Sequence, residues 1–393
     1  MNSEITDILT TVSEEMNAAR FIDIHTHLYM PSLGALGLWG IDELLTYHYL
    51  EAELFRSSAW KPRDYWPLSK LERADAVWRA LFVENTPISE AARGVIAVLN
   101  AFGLPADAAD LGEARRFFAA QKLESHIDRV FELAGVSQVV MTNDPLDPDE
   151  APHWMRGVEP DPRFHPALRL DRLLNDWAGR PVTEVRRFLA EWCGRMRPRY
   201  MAVSLTDTFQ YPDEAAGAQL LSQAVLPACR EFDLPLSLMI GVRRQVNPAL
   251  RLAGDGVGRA DLRSLERLCL EYPENRFLVS LLSRENQHEL CVYARKFSNL
   301  TPFGCWWFLN QPSIVEEMTR ERLEMLGTSF IPQHSDARVL EQIIYKWRNT
   351  RRTLAPILAE SYRLLREDGR TVTRAVIRRD IQKLFRDNFE QLK

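Results

Sequence analysis

Two histidines, His25 and His27, stand two residues apart at the end of a short apolar run that begins at Phe21. Residues two apart on an extended strand point to the same side, so both imidazoles can reach one ion at the end of the strand. Histidine is a common ligand of catalytic zinc and related divalent ions. Two half-buried histidines with ordinary structural roles would give the same spacing. The pair therefore indicates a metal site that needs a further ligand.

Asp336, in the segment Ser335-Asp336-Ala337-Arg338, can supply that ligand. A carboxylate oxygen added to two imidazoles makes a three-ligand site with room left for water or substrate. A catalytic ion requires such an open position, whereas a structural ion avoids it. The fold must then bring residue 336 next to residues 25 and 27.

The order of the apolar runs predicts such a fold. Eight short runs rich in Val, Ile, Leu and Phe lie at 21–25, 137–142, 164–170, 200–205, 235–240, 277–282, 300–305 and 327–332. From the second run onward, helical patterns separate most of them, at 171–195, 215–232, 259–272, 285–297 and 313–326. Alternating strands and helices favour a parallel sheet, and eight repeats favour an α/β fold of the (β/α)8 TIM-barrel type. Chemistry in such a barrel lies at the carboxyl ends of the strands, where both histidines and Asp336 stand.

The remaining stretches predict helices outside the eight repeats. An acidic amphipathic helix is predicted over the first twenty residues, and a helical insertion rich in Trp and Tyr over about 30–135. Because the insertion follows the first strand, it is expected above the catalytic face. Further helices are predicted over 338–393. We expect the whole chain, 1–393, to form a single barrel domain.

Composition limits the classes of partner. The 393 residues are 46% hydrophobic and 26% charged, with a formal net charge of -5, so a small molecule is expected rather than nucleic acid or a membrane. Five scattered cysteines without C-x-x-C spacing argue against a disulfide framework and favour the cytoplasm. A homo-oligomer is expected from the class of barrel enzymes alone.

Six short motifs, in order, resemble the uronate isomerase family, a divergent branch of the amidohydrolase superfamily. They are His25-Thr26-His27, Tyr47-His48-Tyr49, Thr142-Asn143-Asp144-Pro145-Leu146-Asp147, Leu168-Arg169-Leu170-Asp171, Phe303-Gly304-Cys305-Trp306-Trp307-Phe308, and Ser335-Asp336-Ala337-Arg338 followed by Trp347-Arg348. The resemblance runs from about residue 20 to the carboxyl end. It implies a distorted barrel, one divalent metal ion, usually Zn²⁺ with Mn²⁺ as the alternative, and aldose–ketose isomerisation of sugar acids such as glucuronate and galacturonate.

The resemblance also implies roles for single residues. His25, His27 and Asp336 correspond to the metal ligands, and Arg169 would bind the substrate carboxylate through its planar guanidinium fork. Tyr49 would hydrogen-bond the substrate near its reacting carbons, and Arg338 would hold a hydroxyl or the carboxylate. Asp144 and Trp306 are further candidates for substrate contact. An ion pair for Arg169, a core position for Tyr49 and a helix cap for Arg338 are the structural alternatives.

Three positions depart from the family pattern. Met239 stands where the family has a histidine at the end of the fifth strand, and a thioether is a poor ligand for such ions. The fourth strand also lacks the family's histidine, and Asn143 replaces an aspartate. These changes exclude the two-metal hydrolase design, which needs a bridging group on strand four and histidines on strands five and six.

An isomerase of this kind would move a proton between adjacent carbons through an enediol. Asp336 is the predicted base, with Arg338 stabilising the enediolate charge; Asp144, Asp147 and Asp207 are second choices. Two alternatives stay open. One is a mononuclear metal-dependent hydrolase or decarboxylase that acts on another carboxylate, and the other is a non-catalytic protein that binds sugar acids.

Overall fold

Among the described residues, eight strands form one curved sheet, and seven of them run parallel. The computed structural model describes residues 2–175 and 180–392. The strands are β1 (Phe21–Thr26), β2 (Val136–Asn143), β3 (Phe164–Arg169), β4 (Met201–Thr206), β5 (Leu236–Arg243), β6 (Gly256–Val257), β7 (Phe277–Leu281) and β8 (Leu300–Pro302). They pair in the order β1-β2-β3-β4-β5-β7-β8. The short β6 pairs antiparallel with β5 and was not predicted.

The predicted eighth strand, 327–332, is wrong as a regular strand. Its place in the barrel is taken by an irregular segment with a single parallel bridge, between Ile331 and Phe303. Pro332, the last residue of the run, has no N–H to donate, and the segment that follows turns at Asp336, which has a positive φ of 54°. Main-chain hydrogen bonds from Asp336 N to His25 O (3.1 Å) and from His27 N to Ala337 O (2.7 Å) nevertheless join this segment to β1. The fold is therefore a distorted (β/α)8 barrel, as predicted.

Alternate residues of the strands fill the barrel interior. These buried side chains form one apolar cluster that includes Ile22, Ile24, Val140, Ala167, Ala202, Met239, Leu278 and Phe303. The strand period of two directs them inward while their neighbours pack against the outer helices. Met239 is 1% exposed in this cluster, so the position where the family has a histidine serves packing here.

Helices surround the sheet. They are α1 (Asn2–Ala18), α2 (Ile41–Leu45), α3 (His48–Ser57), α4 (Pro62–Tyr65), α5 (Lys70–Trp78), α6 (Glu90–Ala101), α7 (Gly112–Ala119), α8 (Leu123–Ala134), α9 (Ala151–Arg156), α10 (Asp171–Asn175), α11 (Val182–Met196), α12 (Ala216–Leu220), α13 (Leu226–Glu231), α14 (Arg263–Glu271), α15 (Gln287–Ala294), α16 (Pro312–Leu326), α17 (Gln342–Glu367), α18 (Arg374–Gln382) and α19 (Asn388–Glu390). The predicted helix over 171–195 appears as α10 and α11, and residues 176–179 of that prediction lie outside the described residues. Among the described residues, no helix is long and apolar enough to cross a membrane.

The predicted helical insertion corresponds to α2–α8, all of which lie between β1 and β2. Much of it packs around an apolar core of its own, which includes Leu45, Leu54, Tyr65, Trp78 and Leu99. The long helix α17 packs against α1, α6, α8 and α16 and ties the insertion to the barrel. That the chain forms a single domain over 1–393 stays a prediction.

The contact between α6 and α17 leads to a testable prediction about stability. A Cβ at Gly94 of α6 would lie 2.6–2.8 Å from three ring atoms of Tyr345, whereas a Cβ at Gly194 of α11 would meet nothing within 4 Å. Gly94→Ala is therefore expected to lower the free energy of unfolding by about 1–3 kcal/mol through overpacking. Gly194→Ala should raise it by up to about 1 kcal/mol, because alanine favours a helix over glycine. Denaturant melts of the two variants check the opposite signs, and equal shifts would contradict the close packing at Gly94.

Candidate metal centre and active site

Three potential ligand side chains converge where β1 ends. Nε2 of His25 lies 3.5 Å from Oδ1 of Asp336, and Nε2 of His27 lies 3.3 Å from the same oxygen. One ligand atom from each residue lies within 4.8 Å of the other two. The imidazoles and the carboxylate predicted from the sequence are thus brought together across more than 300 residues of chain.

Hydrogen bonds on the far side of each ring fix which nitrogen carries the proton. The Thr142 hydroxyl donates to Thr26 O (2.9 Å), so the contact of 2.8 Å between its oxygen and His27 Nδ1 needs a proton on Nδ1. Likewise the Tyr200 hydroxyl donates to Ile24 O (2.7 Å), so His25 Nδ1 donates to the Tyr200 oxygen at 3.3 Å. Both Nε2 atoms then point lone pairs toward Asp336, which is the tautomer that a metal ligand requires.

The donor set fits a divalent ion. Asp336 Oδ1 is buried and has no hydrogen-bond partner among the described residues, so three lone-pair atoms face one another with no proton between them. Ligands at about 2.0–2.1 Å from a tetrahedral ion lie about 3.3–3.4 Å apart, close to the two N–O distances here. Burial acts to raise the pKa of Asp336, but hydrogen bonds and charge from the His25 and His27 rings hold that pKa well below its ordinary value whenever a proton lies between a ring and Oδ1; a bound divalent ion would replace that proton. Burial and the charge of Arg338 lower the pKa of His27 to about 3, so this ring is neutral at neutral pH, as a ligand must be.

Asp336 has an unusual backbone conformation, and the buried side chain of Asp23 anchors the residue before it. Its positive φ is uncommon for a residue other than glycine, although aspartate tolerates it better than most. The buried carboxylate of Asp23 accepts hydrogen bonds from Ser335 N (3.0 Å) and from Trp347 Nε1 (2.8 Å). The preceding residue is thus anchored to β1 and α17, and the Asp336 side chain is directed toward the histidines.

The role of Thr142 can be tested through metal affinity. Thr142→Val keeps the shape but leaves His27 Nδ1 without an acceptor, so we expect metal affinity to fall by about 10–100-fold. Thr319→Val is a matched control, because the Thr319 hydroxyl is 2% exposed and has no partner in the described part of the chain. Competition with a chelator measures both constants. Equal affinities for wild type and Thr142→Val would contradict the orienting role.

Tyr49, His48 and Arg338 lie beside the three-ligand cluster. The His48 ring lies 4.7 Å from that of Tyr49 and 5.9 Å from that of Trp307, measured between ring centroids. Burial and the neighbouring Tyr47 raise the pKa of Tyr49 well above its ordinary value, and the charge of Asp336 adds to that shift. Tyr49 is therefore a hydroxyl donor at neutral pH, half-buried rather than enclosed in the core.

Arg338 lies two residues after Asp336, and its side chain is half-buried. Its backbone N–H donates to Gln342 Oε1 at 2.8 Å, but within residues 2–175 and 180–392 no carboxylate forms an ion pair with its guanidinium. The charge of Arg338 lowers the pKa of both His27 and His48, which places it close to both. A half-buried cation without a partner is well suited to bind an anionic or hydroxylated substrate.

The other predicted contact residues have side-chain partners of their own or are buried. Arg169 Nη2 donates to Asp171 Oδ2 at 2.6 Å, so an ion pair already uses one of the N–H donors of its guanidinium group. Asp144 lies 3.3 Å from Arg172 Nε and accepts from Leu146 N. Trp306 is 4% exposed within the interior cluster, whereas its neighbour Trp307 is half-buried and contacts His48. Substrate contact by Arg169, Asp144 and Trp306 stays a prediction.

Two histidines were missed as candidates for the site. Burial and Arg338 lower the pKa of His48 to about 3, and its buried Nε2 has no partner among the described residues. His334 is fully buried, its ring lies 5.0 Å from that of His25, and neither of its nitrogens has a partner in the described chain. The sequence signal that could have identified them is their position, since His48 directly precedes Tyr49 and His334 stands two residues before Asp336. Both present polar nitrogens next to the predicted ligands.

Comparison with known proteins finds relatives of this chain among solved structures. No protein-family model matches the chain, and no curated protein matches it in sequence. The chain is 48% identical to the solved structure of a uronate isomerase from Bacillus halodurans C-125, over 99% of this chain and 96% of that one, with a TM-score of 0.96. A uronate isomerase from Thermotoga maritima (16% identity, 98% and 97% covered, TM-score 0.76) and a glucuronate isomerase from Caulobacter crescentus (14%, 99% and 94%, 0.67) share its fold.

A distorted barrel with potential metal ligands at the carboxyl ends of its strands defines a TIM-barrel protein with a candidate metal centre. Within that class, identity of 48% along nearly the whole chain is decisive. The chain belongs to the uronate isomerase family, as its sequence motifs predicted.

Proposed function

We propose that the protein is a metal-dependent isomerase that interconverts the aldose and ketose forms of a hexuronate such as D-glucuronate or D-galacturonate. One observation carries the proposal within this family. The three-ligand cluster of His25, His27 and Asp336 lies beside Arg338, a guanidinium without a carboxylate partner in the described chain. A sugar acid offers the hydroxyl, carbonyl and carboxylate oxygens that such a pair of sites can bind.

Each step of the proton transfer can be assigned to a side chain of this site. Asp336 is ionised at neutral pH because its pKa is held low. Since Oδ1 faces the imidazoles, Oδ2 is left to take a proton from the carbon next to the carbonyl and return it one carbon away. Arg338 stabilises the negative charge of the enediolate, and the protonated Tyr49 donates to one of its oxygens. His48, neutral and with a free Nε2, accepts from a substrate hydroxyl.

His25, His27 and Asp336 would hold the ion. Two imidazoles and a carboxylate suit Zn²⁺, and Mn²⁺ is the alternative. When bound, such an ion polarises a substrate oxygen and stabilises the charge that develops on it. The small-molecule partner, the homo-oligomeric state and the cytoplasmic location stay predictions; all five cysteines are buried and unpaired.

Isotope exchange tests the proposal. We expect the protein, incubated in D₂O with glucuronate or galacturonate and Zn²⁺ or Mn²⁺, to incorporate deuterium at the second carbon of the sugar acid, as detected by NMR. Protein stripped of metal with a chelator is the control and should exchange much more slowly. Absence of exchange with both sugar acids would refute the isomerase. Turnover of esters or lactones would then favour the hydrolase alternative, and binding without turnover the non-catalytic one.

A further inference from the structure

A polar cleft lies on the face of the barrel opposite the candidate metal centre. It is formed by the ends of α1 and α8 together with α6 and α17, and has a volume of about 390 Å³. Arg20 directly precedes β1 and Gly135 directly precedes β2, so the cleft lies at the amino ends of these strands. The histidines lie at the other end of β1. The cleft is therefore separate from the proposed active site.

Four arginines line this cleft: Arg20, Arg348, Arg351 and Arg352. Among the described residues, none of them forms an ion pair with an aspartate or glutamate. Other surface arginines of the chain do have such partners; Arg374 and Arg378, for example, both pair with Glu15. We propose that this cleft binds a small dianion of the phosphate class.

Arg351 places a half-buried positive charge at the cleft without a carboxylate partner among the described residues. Its guanidinium donates to the main-chain oxygens of Ala134 (2.7 Å), Met16 (3.2 Å) and Gly135 (3.2 Å). Burial and the charge of Arg20 lower its pKa to about 10, and no carboxylate acts in the other direction. Gly135, at a φ of +63°, allows this approach, because a Cβ there would lie 2.2 Å from Nη2. The guanidinium is thus held in place at the wall of the cleft.

Arg348 and Arg352 complete the cationic wall from α17. They are exposed and stand four residues apart, so their side chains lie next to each other on the helix surface. Like charges at this spacing repel each other in an isolated helix, and an anion bound between them would remove the repulsion. Glu132 also lines the cleft, but its carboxylate pairs with Arg129 at 2.9 Å.

The charge count and the geometry favour a phosphate group. Guanidinium groups bind phosphate oxygens through paired N–H donors, and several can share one phosphate. Four cations exceed the single charge of a uronate carboxylate, so a dianion compensates them better. The volume also lies within the range of pockets that bind small molecules.

Calorimetric titration with inorganic phosphate at constant ionic strength tests the proposal on the intact protein. We expect saturable binding with one site per chain. The double variant Arg348→Gln/Arg352→Gln should raise Kd by more than about tenfold, because each exchange removes charge-assisted hydrogen bonds. Arg187→Gln, an exposed arginine on α11, is the matched control and should leave Kd unchanged. Glu132→Gln should lower Kd, an effect that damage to the fold would not produce.

Other outcomes would overturn the anion site. Displacement of phosphate by glucuronate, with binding intact in the double variant, would place the phosphate in the active site instead. No saturable binding to wild type, or an equal loss in Arg187→Gln, would also refute it. The double variant should keep the isomerase activity and melting temperature of the wild type, since both side chains are exposed and distant from His25 and Asp336.

Discussion

Replacement of Asp336 by asparagine is expected to reduce kcat/KM for uronate isomerisation by at least about 10³-fold. The amide keeps nearly the same shape, but it cannot accept the proton from carbon and is a weaker ligand. The low pKa of Asp336 means that the wild-type side chain is a carboxylate throughout the neutral range, so the loss should be independent of pH there. Steady-state kinetics with saturating Zn²⁺ measures it.

Two further measurements separate the base from the ligand in this prediction. Metal content of the variant, determined after incubation with Zn²⁺, shows whether the ion is still held. If it is held and deuterium exchange is nevertheless lost, Asp336 acts as the base. Asp207→Asn is the control, because Asp207 follows β4 and was a second choice for acid–base chemistry. If the Asp336→Asn variant keeps more than a tenth of wild-type activity, Asp336 is not the base. An equal loss of activity in the Asp207→Asn variant would also contradict that assignment.

Replacement of His27 by alanine is expected to remove the ion from the protein. Wild type purified without chelator should carry about one equivalent of a divalent metal, and the variant less than about 0.2 equivalents, because two remaining ligands bind such an ion weakly. Activity should fall with metal content. Elemental analysis by mass spectrometry checks the first result, and isotope exchange the second.

His288→Ala is the matched control for this experiment. His288 lies on the surface, 73% exposed, and pairs with Glu321 rather than with any candidate ligand. We expect its metal content to equal that of wild type. Metal retained by His27→Ala would show that His27 has a structural role, and the three-ligand site would then be refuted.

Much of the fold could be predicted from the sequence, because its signals are local. The apolar runs that became β1–β5, β7 and β8 are each shorter than ten residues, and most of their residues are buried, as is typical of strands in a parallel sheet covered on both faces. The prediction of a regular eighth strand was wrong, and part of the reason is also local. Phe330 and Ile331 are the apolar residues of the predicted run, but Pro332 after them has no N–H for a regular ladder, and Asp336 has a positive φ. The irregular segment is held instead by main-chain hydrogen bonds to β1.

The candidate site was predicted less completely, since its chemistry depends on partners distant in the chain. Arg169 and Arg338 look alike as strand-end arginines, yet Asp171 pairs with Arg169, whereas no carboxylate in the described part of the chain pairs with Arg338. His48 and His334 gave no signal of their own, because burial without a hydrogen-bond partner is visible only in three dimensions.

The sequence by itself determined the barrel class and predicted His25, His27 and Asp336 as candidate metal ligands, because strand periodicity and strand order place these side chains at one end of the sheet. Only the tertiary structure decided which hydrogen bonds orient the two histidine rings and fix their tautomers. Thr142 and Tyr200, which lie 115 and 175 residues away from the histidines they contact, set both imidazole tautomers. Closure of the barrel then brings three lone pairs to one point. Such contacts depend on the packing of distant segments, which no local pattern of residues specifies.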